Sequence, residues 1–97
     1  MLQQLDLPHF LEQLHTPFQV ASASVAVELT EVNALGSTPH QRRFSLLFQG
    51  PLDRFLPQGI YALRHDQLGE FDLFLVPVGR QPEGFLYEAV FNRLVEP

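Results

Sequence analysis

Four histidines, His9, His15, His40 and His65, are the residues of this 97-residue chain best suited to proton transfer or metal binding. None of them forms the His-x-His or His-Glu-x-x-His spacing that brings two imidazoles onto one ion, and a zinc site needs three or four convergent ligands. His9 and His15 are six residues apart, which sets them on opposed faces of a helix. The chain has no cysteine, so a thiolate metal site and a Cys nucleophile are excluded. His65 and Asp66 are the one adjacent acid–base pair. Neighbours on an extended strand point to opposite faces, so Asp66 reads as a turn former beside an exposed His65.

The other reactive side chains are as scattered. Ser22, Ser24, Ser37 and Ser45 lack the Gly-x-Ser-x-Gly context of a nucleophile elbow. Gly50, Gly59, Gly69, Gly79 and Gly84 occur singly at strand ends, where turns need positive φ, and form no phosphate loop. Glu28, Asp72 and Glu88 fall on the polar phase of strands, as solvated positions or cross-strand partners for Arg43 and Arg64. The sequence therefore predicts no catalytic residue, no metal site and no cofactor. It favours a non-enzymatic protein.

Composition narrows the partners. Hydrophobic residues make up 45% and charged residues 18%, against a usual charged share of about 25%, which excludes disorder. A net charge of -5 argues against nucleic acid, whose affinity comes from clustered Lys and Arg. All six basic residues are arginine. Interfaces favour Arg over Lys, although the codon usage of a GC-rich genome accounts equally for this and for the single isoleucine, Ile60. No run reaches the ~18–20 apolar residues of a membrane span. Met1–Asp6 has neither the basic start nor the cleavage site of a signal peptide. The expected setting is the cytoplasm, either free or assembled into a larger particle.

The elements that must position these residues follow from periodicity. Asp6 can cap a helix, Pro8 suits its first turn, and Leu7, Phe10, Leu11 and Leu14 form one apolar stripe. The helix is predicted over 6–15, ended by Thr16-Pro17. The period then changes from 3.6 to 2. Strands are predicted over 18–21, 24–33, 43–49, 59–65, 70–78 and 86–93, with a phase break at Glu31-Val32 that suggests a bulge. Residues 34–42 read as a polar loop, the segment most able to move. Asp66-Gln67-Leu68-Gly69 reads as a hairpin turn, and residues 79–84 as another. Short turns without intervening helices mean antiparallel pairing. The prediction is a single, mainly β domain over 1–97. About six antiparallel strands form a small barrel or strongly curved sheet, with one short N-terminal helix plugging an open end.

Two strands are more apolar than a half-wet sheet requires. Phe44, Leu46, Leu47 and Phe48 lie on the third, and Phe71, Leu73, Phe74, Leu75, Val76 and Val78 on the fifth. Such runs need cover on both faces, either from the helix and the Pro-rich loops or, since one ten-residue helix spans only about 15 Å, from a partner. Phe44, Leu47, Phe48, Tyr61, Phe71, Phe74 and Tyr87 are thus the candidate interface or pocket residues. The partner would be another protein chain, either a second copy in a homo-oligomer or a neighbour-encoded protein. The alternative is a small apolar ligand in a barrel mouth, lined by Tyr61, Phe71, Phe74 and Tyr87.

Four segments carry a family resemblance. They are Phe44-Ser45-Leu46-Leu47-Phe48-Gln49-Gly50-Pro51, Leu56-Pro57-Gln58-Gly59-Ile60-Tyr61, the run from Leu68 to Gly79, and Tyr87-Glu88-Ala89-Val90-Phe91-Asn92. Together they resemble a family of small, uncharacterised bacterial proteins of similar length, encoded near phage-tail-like proteins with tail-collar domains. The resemblance is close over 43–92 and loose over the helix and first two strands. It implies a bacterial source and an assembly role in a phage-tail-derived system, with no catalytic residues to carry over.

Overall fold

Alternating side chains turn each strand into a ribbon with one greasy and one wet face, and burying six such faces together requires curvature. A computed structural model describes residues 5–38 and 41–94. It contains α1 (Leu7–Leu11), β1 (Pro17–Val20), β2 (Val25–Thr38), β3 (Gln41–Gly50), β4 (Gly59–His65), β5 (Gly69–Gln81) and β6 (Gly84–Leu94). The strands run antiparallel in the cyclic order β1-β2-β3-β6-β5-β4. The sheet is therefore a closed ring rather than an open curve. The seam is short: Gln19 opposes Arg64 and Val20 opposes Leu63, and the Ala21 amide donates to the Ala62 carbonyl at 3.0 Å.

The inward phase is the core. Phe18 and Val20 of β1, Val25, Val27 and Leu29 of β2, and Phe44, Leu46 and Phe48 of β3 are buried. Leu63 of β4, Leu73 and Leu75 of β5, and Tyr87 and Ala89 of β6 complete it. The phase break in β2 is a register shift between Leu29 and Glu31, which lets the strand leave the ring and continue outward.

The predicted loop over 34–42 is corrected by that continuation. β2 runs on to Thr38 and β3 begins at Gln41, paired through Ser37–Arg42 and Thr38–Gln41. Alternation is lost there because the arm projects beyond the core: Asn33, Ala34, Leu35 and Gly36 are all exposed, so no face selects apolar residues. A second register shift between Ala34 and Ser37 holds Gly36 at φ 99°, which only glycine adopts freely. Pro39 and His40 of that prediction lie outside the described residues.

The helix is also shorter than predicted. Asp6 caps it, with Oδ1 accepting from the Leu7 amide at 2.7 Å and the Asp6 amide donating to His9 Nδ1 at 2.8 Å. After Leu11 the chain tightens, the Gln13 amide donating to Phe10 at i−3. His15 takes φ 66°, which swings its amide onto the Leu29 carbonyl at 2.6 Å. Of the predicted stripe, Phe10 is buried and Leu7 and Leu14 are partly buried, whereas Leu11 is exposed.

β5 and β6 pair only from Val76 and Glu88 to their turn. Beyond it β5 stays with β4 and β6 with β3. Phe10 fills the space between them, its ring 5.9 Å from Phe71, 5.2 Å from Phe91 and 6.0 Å from Phe44. This is the plug the sequence suggested. The turn predicted over 79–84 is also tighter, because β5 extends to Gln81 and Gln81 opposes Gly84 directly. Pro77 lies beside the register shift between Pro77 and Gly79, the kind of position where a strand tolerates a residue without an amide proton.

Candidate functional site

His65 is buried, which corrects the exposed position expected for it. Its Nδ1 accepts from the amides of Gln67 at 2.9 Å and Leu68 at 3.3 Å. Nδ1 therefore carries no proton, and Nε2 donates to Thr16 Oγ1 at 2.9 Å. Thr16 passes its own proton to the Gln13 carbonyl at 2.7 Å, and the Phe18 ring lies 4.3 Å from the imidazole. Burial holds the His65 pKa below its usual value, the Asp66 charge pulling weakly the other way. The result is a neutral imidazole tying the helix exit to the β4–β5 turn. Both ring nitrogens are occupied, and the Thr16 hydroxyl is itself held by the Gln13 carbonyl. An open groove of about 280 Å³ runs past it.

Tyr87 is the second internal polar anchor. Its hydroxyl accepts from the Leu56 amide at 2.9 Å, fixing the connection between β3 and β4. Burial is the main influence raising its pKa, opposed by the Leu56 hydrogen bond and helped by nearby Tyr61. Leu56 is the one buried side chain of that connection, and the chain enters β4 three residues later. The clamp thus sets where Ile60 emerges.

The carboxylates remain solvated or pair locally. Glu28 contacts His15 Nδ1 at 3.2 Å and Glu70 contacts Arg64 at 3.3 Å, so Arg64 takes Glu70 rather than the predicted strand-face partners. Among the described residues no three His, Asp or Glu side chains converge as metal ligands, and no helix is long and apolar enough to cross a membrane.

The predicted site residues divide between two faces. Phe44, Phe48 and Tyr87 point inward and are fully buried, which removes them from any outer interface. Tyr61 and Phe71 share the inward phase and are half-buried, Tyr61 donating its hydroxyl proton to the Pro57 carbonyl. Leu47 and Phe74 lie on the outward phase. Tyr61, Phe71, Phe74 and Tyr87 therefore do not line one pocket, because Phe71 and Phe74 are an odd number of residues apart on one strand.

On the outside, none of the described elements covers β5. α1 packs at the ring's mouth, and the outward residues of β4, β5 and β6 stay open. Ile60 is 72% exposed, Phe74 49%, Val78 51% and Val90 56%. Ile60 directly opposes Phe74, and Val76 opposes Glu88 two residues before Val90. Opposed side chains lie about 5 Å apart and diagonal ones about 7–8 Å, so Ile60, Phe74, Val76 and Val78 form one patch, which reaches Val90 along β6 past Glu88. Sequence reasoning missed Ile60, Val78 and Val90. The parity of the alternation carried the signal: each falls on the polar phase of its strand.

A family model described as a domain of unknown function (DUF6916) matches residues 5–91. No curated protein and no solved structure matches the chain.

Proposed function

We propose that this chain, which belongs to the DUF6916 family, is a non-enzymatic module that docks another protein on the outer face of β4, β5 and β6. The observation that carries the reading is the exposed cluster of Ile60, Phe74, Val78 and Val90 on a sheet whose core is complete without them. Single exposed apolar residues are ordinary, whereas a continuous patch rimmed by polar residues marks an interaction surface. A ring also suits this role, since closure leaves few strand edges for unselective pairing. The two internal polar anchors, His65 and Tyr87, hold backbone and leave no free reactive group, which favours binding over catalysis. The small-ligand alternative is weaker because its four lining residues do not meet in one cavity.

The resemblance described above places proteins of a phage-tail-derived assembly in a bacterial cytoplasm first among the partners to test. The experiment is co-purification of the chain with the products of neighbouring genes, alongside the Ile60→Ser/Phe74→Ser variant. The module reading expects at least one stable complex that the double variant loses while staying folded. A strictly monomeric protein that captures no neighbour, or a complex indifferent to the double substitution, overturns it.

A further inference from the structure

We infer that the occupant of this face is a basic protein surface, apolar side chains interspersed with Arg or Lys, and not a second copy of the chain. The inference rests on the docking reading above and deepens it by naming the partner's chemistry. The patch carries two carboxylates, Glu88 set among apolar neighbours and Asp72 at its charged edge beside Glu70 and Arg64. Asp72 opposes Ala62 and precedes Phe74 by two residues on the same face. Glu88 is half-buried, with Val76 opposite on one side and Leu47 opposite on the other. Neither has an ion-pair partner among the described residues, in contrast to Glu70, which holds Arg64.

Of the described cations, Arg64 stands diagonal to Asp72 on the same face but is engaged elsewhere, and the others lie farther off. Arg64 is occupied by Glu70, Arg80 lies 5.8 Å over the Phe85 ring, and Arg54 donates to the Ala23 carbonyl. Arg43 stands four residues along β3 from Leu47, about 13 Å from the Glu88 position.

A carboxylate surrounded by aliphatic side chains is costly to cover unless a donor arrives with the partner. A two-fold dimer through this face would set the same patch against itself. Asp72 and Glu88 of each copy would then share one apolar interface whose near cation, Arg64, is already engaged by Glu70, with a net charge of -5 on each chain. Like charges so placed oppose association, whereas Arg or Lys from a different protein would satisfy both groups. The acidic balance likewise disfavours nucleic acid and anionic lipid headgroups.

The test is selection of a random peptide library, displayed on phage, against the immobilised full-length chain, with the Phe74→Ser variant for counter-selection. Light scattering of the free chain runs in parallel. The expected result is enrichment of peptides alternating Leu, Phe or Trp with Arg or Lys. Their binding should weaken steeply between 50 and 300 mM salt, drop at least ~10-fold in Asp72→Asn/Glu88→Gln, and vanish in Phe74→Ser. Peptides without basic bias, or affinities indifferent to salt and to the double amide variant, overturn the basic partner. If those peptides still need Phe74, the docking reading survives. A concentration-dependent dimer abolished by Phe74→Ser overturns the inference in favour of a second copy. No enrichment at all also overturns it, and co-purification with neighbouring gene products then decides the docking reading separately.

Discussion

Removing one oxygen atom at two places in this ring should have very different consequences. Tyr87→Phe deletes the acceptor of the Leu56 amide, a buried hydrogen bond of 2.9 Å, while keeping the ring that packs 6.5 Å from Phe55. The orphaned amide then bears its own desolvation penalty, about 1–3 kcal/mol. For a domain of this size about 2 kcal/mol corresponds to a fall in Tm of roughly 8–16 °C. Tyr61→Phe removes a comparable hydroxyl, but Tyr61 donates to the exposed Pro57 carbonyl, which water can satisfy, so the loss should stay within about 0.5 kcal/mol. Urea unfolding of both variants, with unchanged m-values confirming two-state comparison, measures the difference. Amide exchange at Leu56 should accelerate in Tyr87→Phe alone. Equal losses in the two variants, or a Tyr87→Phe loss below about 0.5 kcal/mol, would refute the view that this clamp fixes the entry to β4.

Three further outcomes follow from the core. The unfolded chain protonates its histidines near pH 6.5, whereas His65 in the fold does so lower. Its contribution is therefore complete above about pH 6.5 and lost as pH falls toward the folded value, with a slope of up to about 1.4 kcal/mol per pH unit. Urea midpoints between pH 7 and 5 should show that fall in the parent and less of it in His65→Gln; identical slopes would contradict it. In Gly84→Ala the new Cβ would lie 2.2 Å from the Gly50 carbonyl oxygen and 3.0 Å from Gln49 Cγ. β3 and β6 must part there, at a cost of about 1–3 kcal/mol or more; a variant with unaltered Tm would count against this close approach. Phe10→Ala empties the space between Phe71 and Phe91 and should cost about 3–5 kcal/mol. A loss under about 1 kcal/mol in calorimetry would mean that the helix does not plug the ring.

Much of this architecture is legible in residue order, because a strand with one buried face writes its burial directly as alternation. β4 is predicted over 59–65 and observed as Gly59–His65. The bulge near Glu31 and the turn at Gly69, which takes φ 81°, are readable for the same reason. Legibility ends where burial does. The arm formed by residues 34–38 and 41–42 has no core beneath it, so its pairing leaves no apolar alternation in the sequence. His65 looked like surface because a hydrophilic side chain beside a turn usually is. Only the fold brings Thr16, 49 residues away in sequence, to its Nε2. The candidate surface was half legible. The apolar excess of β5 pointed to uncovered strand faces, but counting apolar residues without their parity merged Phe44, Phe48 and Tyr87 of the interior with Phe74 of the exterior. Ile60 was visible only as a rare residue type.

Docking on this face requires the outward apolar side chains to be surplus to folding, and urea unfolding of Ile60→Thr/Phe74→Thr tests that most directly. Threonine keeps strand propensity, so the loss should be limited to the cross-strand pair, under about 1 kcal/mol, with an unchanged m-value. A loss above about 3 kcal/mol would show that the fold itself consumes this surface, and would contradict its reservation for a partner.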